Sequence, residues 1–154
     1  MTAVVPELRV GLDLVDVADV ADAVARFGDR YVTRIYTDHE IACCRRPAPD
    51  ATVVDGATVP GPAYALDSLA ARFAAKEAVL KVLRPVGMQP AWRSIELHRM
   101  TGGWCEIRLS GSAAALAAEA GLEGLAVSLT HEGDLAGAVV VGWGTRGTEE
   151  THDG

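Results

Sequence analysis

Three places in the chain carry ionisable side chains where packing alone would favour apolar ones. Asp13 lies inside the apolar stretch GLDLVDV, and His131 ends the stretch AVSLTH. Between them, Glu77 and Lys81 belong to LAARFAAKEAVLKVL, a segment rich in Ala and Leu. Two carboxylates that converge from different elements form an oxygen-rich site of the kind that suits Mg²⁺. Cations beside such a metal ion suit a polyphosphate ligand.

Each of these positions also has a simpler explanation. An Asp in a strand can cap a neighbouring loop, and a His at a strand end is often only a structural hydrogen-bonding group. Glu77 and Lys81 are four residues apart, so they can form an ordinary helix ion pair that contributes ~0.2–0.5 kcal/mol. The sequence contains neither a P-loop nor a GxGxxG fingerprint. A phosphate ligand would therefore have to be held by side chains and a metal ion.

The helix predicted over residues 69–83 has an unusual distribution of charge. On a wheel at about 100° per residue, Lys76 falls within an arc of four apolar residues, namely Leu69, Phe73, Leu80 and Leu83. Arg72 lies at one edge of this arc and Glu77 at the other. A surface helix normally keeps its charges opposite the apolar stripe. The charges on the apolar side therefore indicate that this helix does more than pack in the core.

The elements around these residues follow from sequence periodicity. The first strand is predicted to place Val10, Leu12 and Leu14 on one side, and Gly11, Asp13 and Val15 on the other. A helix follows, with Asp16 as N-cap and Gly28 at its end. A shorter helix is capped by Thr37 or Asp38. The 69–83 helix has Asp67 or Ser68 as N-cap, and Pro85 and Gly87 follow it.

The second half of the chain predicts two hairpins separated by a helix. SIELHRMTGGWCEIRL turns at residues 101–103, and GLAVSLTHEGDLAGAVVVGW turns at residues 132–134. The stretch GSAAALAAEAGL between them is a helix ended by Gly121. Hairpins imply antiparallel pairing, and the helices would cover one face. The predicted fold class is α+β, an antiparallel sheet built from hairpins and packed against helices.

The domain organisation is simple. The 154 residues predict one domain over residues 1–146 and a polar, Gly-rich, disordered tail over 147–154. The segment 47–64 contains four prolines and two glycines, which indicates an extended, exposed loop.

Composition excludes several classes of protein. The net charge of −7 argues against a general nucleic-acid binder, although a local basic pocket is compatible with it. No apolar run is long enough to span a membrane, and the first residues lack the pattern of a secretion signal. Cys43, Cys44 and Cys105 fit neither a disulfide framework nor a zinc site. We therefore expect a cytoplasmic protein with reduced thiols that binds neither nucleic acid nor membrane.

Four segments in this order, GLDLVDV, RIYTDHE, LAARFAAKEAVLKVL and SLTHEGDLAGAVVV, resemble the 4′-phosphopantetheinyl transferases of the holo-acyl-carrier-protein synthase type. The resemblance spans residues 8–143. Its most specific part is the G-x-D strand followed by the RFAAKEAxxK helix, and the S-x-[ST]-H strand adds to it. It implies transfer of the phosphopantetheine arm of coenzyme A to a serine of an apo carrier protein, with 3′,5′-ADP as the other product.

The resemblance also implies the catalytic group and the metal ion. Asp13 and Glu77 match the two carboxylates that bind Mg²⁺ in this family. Lys81 matches a lysine close to the transferred phosphate. These three residues form the predicted catalytic group.

Coenzyme A contacts and assembly follow from the same resemblance. Arg72 and His131 match positions that contact coenzyme A, and Lys76, Lys81 and Thr130 are assigned to the same binding group. The family is typically a homotrimer with active sites between subunits. We therefore expect a homotrimer whose partners are coenzyme A and an apo acyl or peptidyl carrier protein.

The chain departs from the family pattern in ways that concern the carrier. Asp19 stands where the family commonly has an arginine that faces the acidic carrier protein. This departure predicts a polyketide or peptide synthase carrier. The segment RPVGMQPAW also replaces a Gly-rich turn, and the loop 47–64 is longer than usual. The alternatives are a housekeeping fatty-acid enzyme and a non-catalytic relative that binds coenzyme A or a carrier protein.

Overall fold

The computed structural model describes residues 5–46, 52–59 and 63–146. Its helices are α1 Val17–Phe27, α2 Asp29–Ile35, α3 Asp38–Cys44, α4 Leu66–Leu83 and α5 Gly111–Glu119. Its strands are β1 Val5–Asp16, β2 Thr52–Val54, β3 Ala57–Val59, β4 Ile95–Arg99, β5 Cys105–Leu109, β6 Leu122–Glu132 and β7 Leu135–Arg146. The predicted tail 147–154 lies outside the described residues. The predicted α+β class and both predicted hairpins, β4–β5 and β6–β7, are confirmed.

The main sheet has three antiparallel strands in the order β1-β7-β6. Ala138 on β7 pairs with Asp13 on one side and with Leu129 on the other. Residues paired across antiparallel strands point to the same face, and so do residues two apart on one strand. Asp13 and His131 therefore lie on the same face of the sheet, at its two outer strands.

Helix α4 is the centre of the molecule. It packs against β1, β7 and β6 on its sheet side, and against α1, α3, α5 and β4 elsewhere. Twelve of its residues are buried, Lys76 among them. A helix surrounded in this way has no single apolar face. This explains why charged and apolar positions are mixed on its wheel.

Gly11 allows β1 to approach α4 closely. A Cβ at this position would lie 2.0 Å from the carbonyl oxygen of Ala78 and 3.1 Å from the Cβ of Lys81. Real Cβ atoms do not occupy such positions, so only glycine fits there. The close approach brings Asp13, two residues later, against the C-terminal half of α4.

The alternation predicted for β1 is confirmed, and its apolar side faces outward. Leu8, Val10, Leu12 and Leu14 are 60–72% exposed. The opposite side, with Gly11 and Val15, packs inward. The first strand thus presents a stripe of large apolar side chains on the outer surface of the molecule.

The boundaries of several elements differ from prediction. The short helix α2 was not predicted. The stretch 52–59, predicted as part of a loop, forms a two-stranded hairpin. The predicted N-cap of α4 is wrong, because Ala65 occupies that position and its N–H donates to the Cys44 carbonyl. A contact distant in sequence fixes this helix start, and no local capping residue does.

The predicted start of α3 is confirmed. The Thr37 hydroxyl accepts from the Glu40 N–H, and the Glu40 carboxylate accepts from the Thr37 N–H, which makes a reciprocal capping box. No described helix has the length and apolarity needed to cross a membrane.

Candidate active site

The predicted catalytic group meets where β1 crosses α4. The Lys81 ammonium donates to Oδ1 of Asp13 at 2.9 Å and also to the carbonyl of Leu12. Half of the Lys81 side chain is exposed, whereas Asp13 is largely shielded. The cluster therefore lies at the surface edge of the sheet–helix interface, within reach of a ligand.

Glu77 lies beside this pair on the same side of α4. Burial raises the pKa of its carboxyl group, and the negative charge of Asp13 raises it further, while Lys81 opposes the shift. Two carboxylates that destabilise each other's charge favour a cation between them. The structure thus brings together Asp13, Glu77 and Lys81 as the sequence predicted.

The donor set fits Mg²⁺ better than a transition metal. Among the described residues, no three His, Cys, Asp or Glu side chains are grouped to hold a metal ion. Magnesium usually takes one or two carboxylates and completes its shell with water and substrate phosphate. Asp13 and Glu77 supply two such carboxylates, and the charge repulsion between them is what a divalent cation would relieve.

A cleft of about 400 Å³ opens beside the N-terminal half of α4. Its cationic lining residues are Arg72 from α4 and Arg99 at the end of β4, and His131 from β6 adds an imidazole. Arg72 lies five residues before Glu77, which corresponds to about 7–8 Å along a helix axis and about 140° around it. The cleft and the carboxylate site therefore lie on different sides of α4.

Arg72 has unused hydrogen-bonding capacity in this cleft. The residue is 8% exposed, and its Nη1 donates to the carbonyl of Ser68 at 3.3 Å. Its Nε is buried and has no hydrogen-bond partner among the described residues. A buried donor without a partner is costly, so a bound anion would satisfy it.

Lys76 and Thr130 are placed away from the cleft lining. The Lys76 side chain is fully buried and forms a 2.9 Å ion pair with Glu40. Its ammonium also donates to the carbonyls of Trp92 and Ile95. Thr130 neighbours two cleft residues on β6, Leu129 and His131, and therefore points to the opposite face of the sheet.

Glu40 is a buried residue whose role sequence reasoning missed. Its carboxylate accepts hydrogen bonds from the N–H groups of Thr37 and Leu97 in addition to pairing with Lys76. Burial lowers the pKa of Lys76, and Glu40 opposes that shift. The T-x-x-E spacing of the capping box was visible in the sequence, but its partner 36 residues later was not.

The chain is similar to known proteins over most of its length. A model of the 4′-phosphopantetheinyl transferase superfamily matches residues 9–140. A holo-[acyl-carrier-protein] synthase of Desulforudis audaxviator is 37% identical over 137 residues, which cover 89% of this chain and 93% of that protein. One from Chloroflexus aurantiacus is 40% identical over 144 residues, which cover 86% and 96%.

Solved structures agree with this similarity. Holo-[acyl-carrier-protein] synthase of Helicobacter pylori in complex with coenzyme A superposes with a TM-score of 0.67 and 25% identity, covering 86% of this chain and 98% of that one. The coenzyme A complex of the Chronobacterium ammoniagenes enzyme gives a TM-score of 0.68 and 25% identity, covering 93% and 99%.

Proposed function

The chain belongs to the 4′-phosphopantetheinyl transferase superfamily, and from this premise we propose how its site works and which carrier it serves. It is a transferase of the holo-acyl-carrier-protein synthase type, which moves phosphopantetheine from coenzyme A to an apo carrier protein. The observation that carries the proposal is the meeting of Asp13, Glu77 and Lys81 at the crossing of β1 and α4.

Asp13 and Glu77 would hold Mg²⁺, which when bound supplies electrostatic stabilisation of the diphosphate charge. Lys81 then has two roles in the proposal. It keeps Asp13 oriented through their hydrogen bond, and its half-exposed side chain allows the ammonium to bind a phosphate oxygen. Transfer of this kind depends on positioning and on stabilisation of the charge that develops on the leaving ADP.

The cleft beside α4 is the proposed site for coenzyme A. Arg72 presents an unpartnered Nε there, and His131 lines the same cleft from β6. We leave Lys76 and Thr130 out of the coenzyme A contacts, because Lys76 is buried against Glu40 and Thr130 points to the other face of the sheet. Lys76 has a structural role in this proposal.

The carrier proposed for this chain is less acidic than a typical fatty-acid carrier, such as a polyketide or peptide synthase domain. Asp19 and Asp22 are exposed on α1. Asp16 caps this helix by accepting from the Ala18 N–H at 3.0 Å. Like charges across an interface slow encounter, so an acidic α1 disfavours an acidic partner. The housekeeping acyl carrier protein remains the alternative, in keeping with the names of the relatives.

We also propose that the enzyme is a homotrimer with active sites between subunits. The support within this chain is the apolar stripe on the outer face of β1, defined by Leu8, Val10, Leu12 and Leu14. A contiguous apolar patch of this kind on a sheet face marks an interaction surface. The stripe lies on the face of β1 opposite Asp13, so a neighbouring subunit seated on it would pack against the outer face of the strand that carries this carboxylate.

Mass spectrometry of several apo carrier proteins incubated with coenzyme A, Mg²⁺ and the enzyme tests the function. The expected result is a phosphopantetheine mass gain on a carrier serine, which is lost when EDTA replaces Mg²⁺. No mass gain on any carrier, together with retained coenzyme A binding, would favour the non-catalytic relative over the transferase.

A further inference from the structure

Two thiols line the same cleft as Arg72. Cys43 reaches it from the end of α3, and Cys105 from β5. Cys43 is exposed, and its Sγ lies 3.7 Å from Nε2 of His39, one helical turn earlier. An exposed thiol in contact with an imidazole nitrogen has a proton acceptor at hand, which is a common feature of reactive cysteines.

The imidazole of His39 is held in place by strand β4. Its ring stacks on that of His98, with centroids 4.1 Å apart and planes 14° apart. His98 in turn pairs with the carboxylate of Glu96. The contact between His39 and Cys43 therefore belongs to a packed cluster that spans α3 and β4.

The cleft also carries the charge that an anionic ligand needs. Arg72 is nine-tenths buried and leaves its Nε without a partner within the described residues. Arg99 is exposed at the rim of the same cleft. The free donor of Arg72 is an observation independent of the cysteine, and it points to an anion bound within the cleft that Cys43 lines.

We propose that Cys43 is a thiol–disulfide exchange site for anionic low-molecular-weight disulfides, which form a reversible mixed disulfide with it and block the cleft. The disulfide of coenzyme A is the member of this class that combines phosphate groups with the reactive bond. That choice of ligand rests on the proposed function, because it assumes that the cleft accepts coenzyme A. The exchange chemistry itself does not depend on it.

The exchange reaction moves one proton and replaces one S–S bond with another. His39 Nε2 accepts the proton of the Cys43 thiol, and the resulting thiolate attacks one sulfur of the disulfide RS–SR. The bond between Cys43 Sγ and that sulfur forms, and the RS–SR bond breaks. The departing RS⁻ takes the proton from His39 and leaves as a thiol, RSH. Cys43 is oxidised to the mixed disulfide, and half of the small disulfide is reduced.

The other two thiols provide internal controls. Cys44 is buried, which raises the pKa of its thiol to about 11 and keeps it protonated. Cys105 also lines the cleft and is half-buried. It differs from Cys43, whose thiol is in contact with the imidazole of His39. If access to the cleft alone governed reactivity, Cys105 would react at a rate similar to that of Cys43.

The experiment treats the full-length, reduced protein with three probes: coenzyme A disulfide, glutathione disulfide and the neutral 2-hydroxyethyl disulfide. Peptide mapping by mass spectrometry measures the rate of mixed-disulfide formation at each cysteine. For the anionic probes we expect Cys43 to react at least ~10-fold faster than Cys105 or Cys44, in line with the site selectivity of activated thiols. Cys43→Ser should abolish the rapid phase, and Cys105→Ser should keep it.

Two variants distinguish activation of the Cys43 thiol by His39 from attraction of the anionic probes by Arg99. His39→Gln should slow the reaction of Cys43 with all three probes, because the proton acceptor is removed. Arg99→Gln should slow only the anionic probes, because it removes charge from the rim and leaves the contact between His39 and Cys43 intact. Equal rates at Cys43 and Cys105, or no preference of Cys43 for anionic over neutral probes, would overturn the proposal.

Transfer activity is measured before and after treatment for each variant, and dithiothreitol is then added. The treated protein should lose activity and regain it on reduction, and the Cys43→Ser protein should keep its own untreated rate after treatment. If transfer is normal but Cys43 is not selectively modified, only the exchange proposal fails. If Cys43 is selectively modified but no carrier is ever converted, only the proposed function fails.

Discussion

The ammonium group of Lys81 donates a 2.9 Å hydrogen bond to Oδ1 of Asp13, across 68 positions of the chain. The contact depends on Gly11, because any larger residue would collide with the Ala78 carbonyl and hold β1 away from α4. The G-x-D motif therefore has a steric reason for its glycine and an electrostatic reason for its aspartate. Together they place a lysine and two carboxylates at one edge of the sheet.

Removal of either carboxylate should abolish transfer. Asp13→Ala and Glu77→Ala each leave a single carboxylate beside the positive charge of Lys81, which weakens the binding of Mg²⁺. The readout is phosphopantetheine mass gain on the carrier over a range of Mg²⁺ concentrations, with circular dichroism as the check on folding. Glu119→Ala, at an exposed position of α5, is the matched control. Near-normal turnover of either site variant at ordinary Mg²⁺ would contradict the metal assignment.

Lys81→Ala should lower kcat by ~10²-fold or more, the scale for loss of one transition-state electrostatic partner. The reason is that its half-exposed side chain places an ammonium beside the carboxylate site, where it can stabilise charge near the transferred phosphate. Steady-state kinetics with coenzyme A as the varied substrate separates the effect on kcat from the effect on KM. A change confined to KM would mean that Lys81 only binds substrate.

Lys76→Met should destabilise the fold by ~3–5 kcal/mol, because it leaves the buried Glu40 carboxylate without its counter-ion. Adding Glu40→Gln should recover part of that loss, since no unpaired charge then remains. Urea unfolding followed by circular dichroism measures both variants. Lys81→Met is the control on the same helix, and its half-exposed pair should be worth only ~0–1 kcal/mol. Equal stability of the Lys76 and Lys81 variants would refute the structural role of Lys76.

The enzyme should have the mass of a trimer in solution. Light scattering during size-exclusion chromatography is expected to give three times the mass of one chain. Val10→Glu and Leu12→Glu place charge in the outer apolar stripe of β1, so both should shift the protein to monomers and reduce transfer. A wild-type monomer at the concentration of the activity assay would show the trimer proposal to be wrong.

Asp19→Arg should raise kcat/KM for a strongly acidic fatty-acid carrier and have less effect on a polyketide or peptide carrier domain. The gain should be largest at low salt, where screening of the interface is weakest. Glu119→Arg, which makes the same change of charge on α5, is the control. No response of either carrier to Asp19→Arg over a salt series would place α1 outside the docking surface.

Apart from α2 and the β2–β3 hairpin, the order of elements could be predicted from the sequence because the signals are local. Gly28 ends α1, Thr37 caps α3, and the glycine-containing turns near residues 102 and 133 close the two hairpins. Asp13, Glu77 and Lys81 could also be selected in advance, because ionisable groups in apolar segments stand out. The start of α4 was missed because it depends on a hydrogen bond from Ala65 to Cys44, which no local pattern encodes.

Only the tertiary structure decided which charges belong to the site. Lys76 and Lys81 lie on one helix and look alike in sequence. Lys76 is fully buried in an ion pair with Glu40, whereas Lys81 reaches the surface beside Asp13. The tertiary structure also decided which side of β1 is buried. Its apolar side faces outward, and its Gly-x-Asp side packs on α4. Periodicity gives the sides of an element, but burial depends on what packs against each side, and those neighbours are distant in the chain.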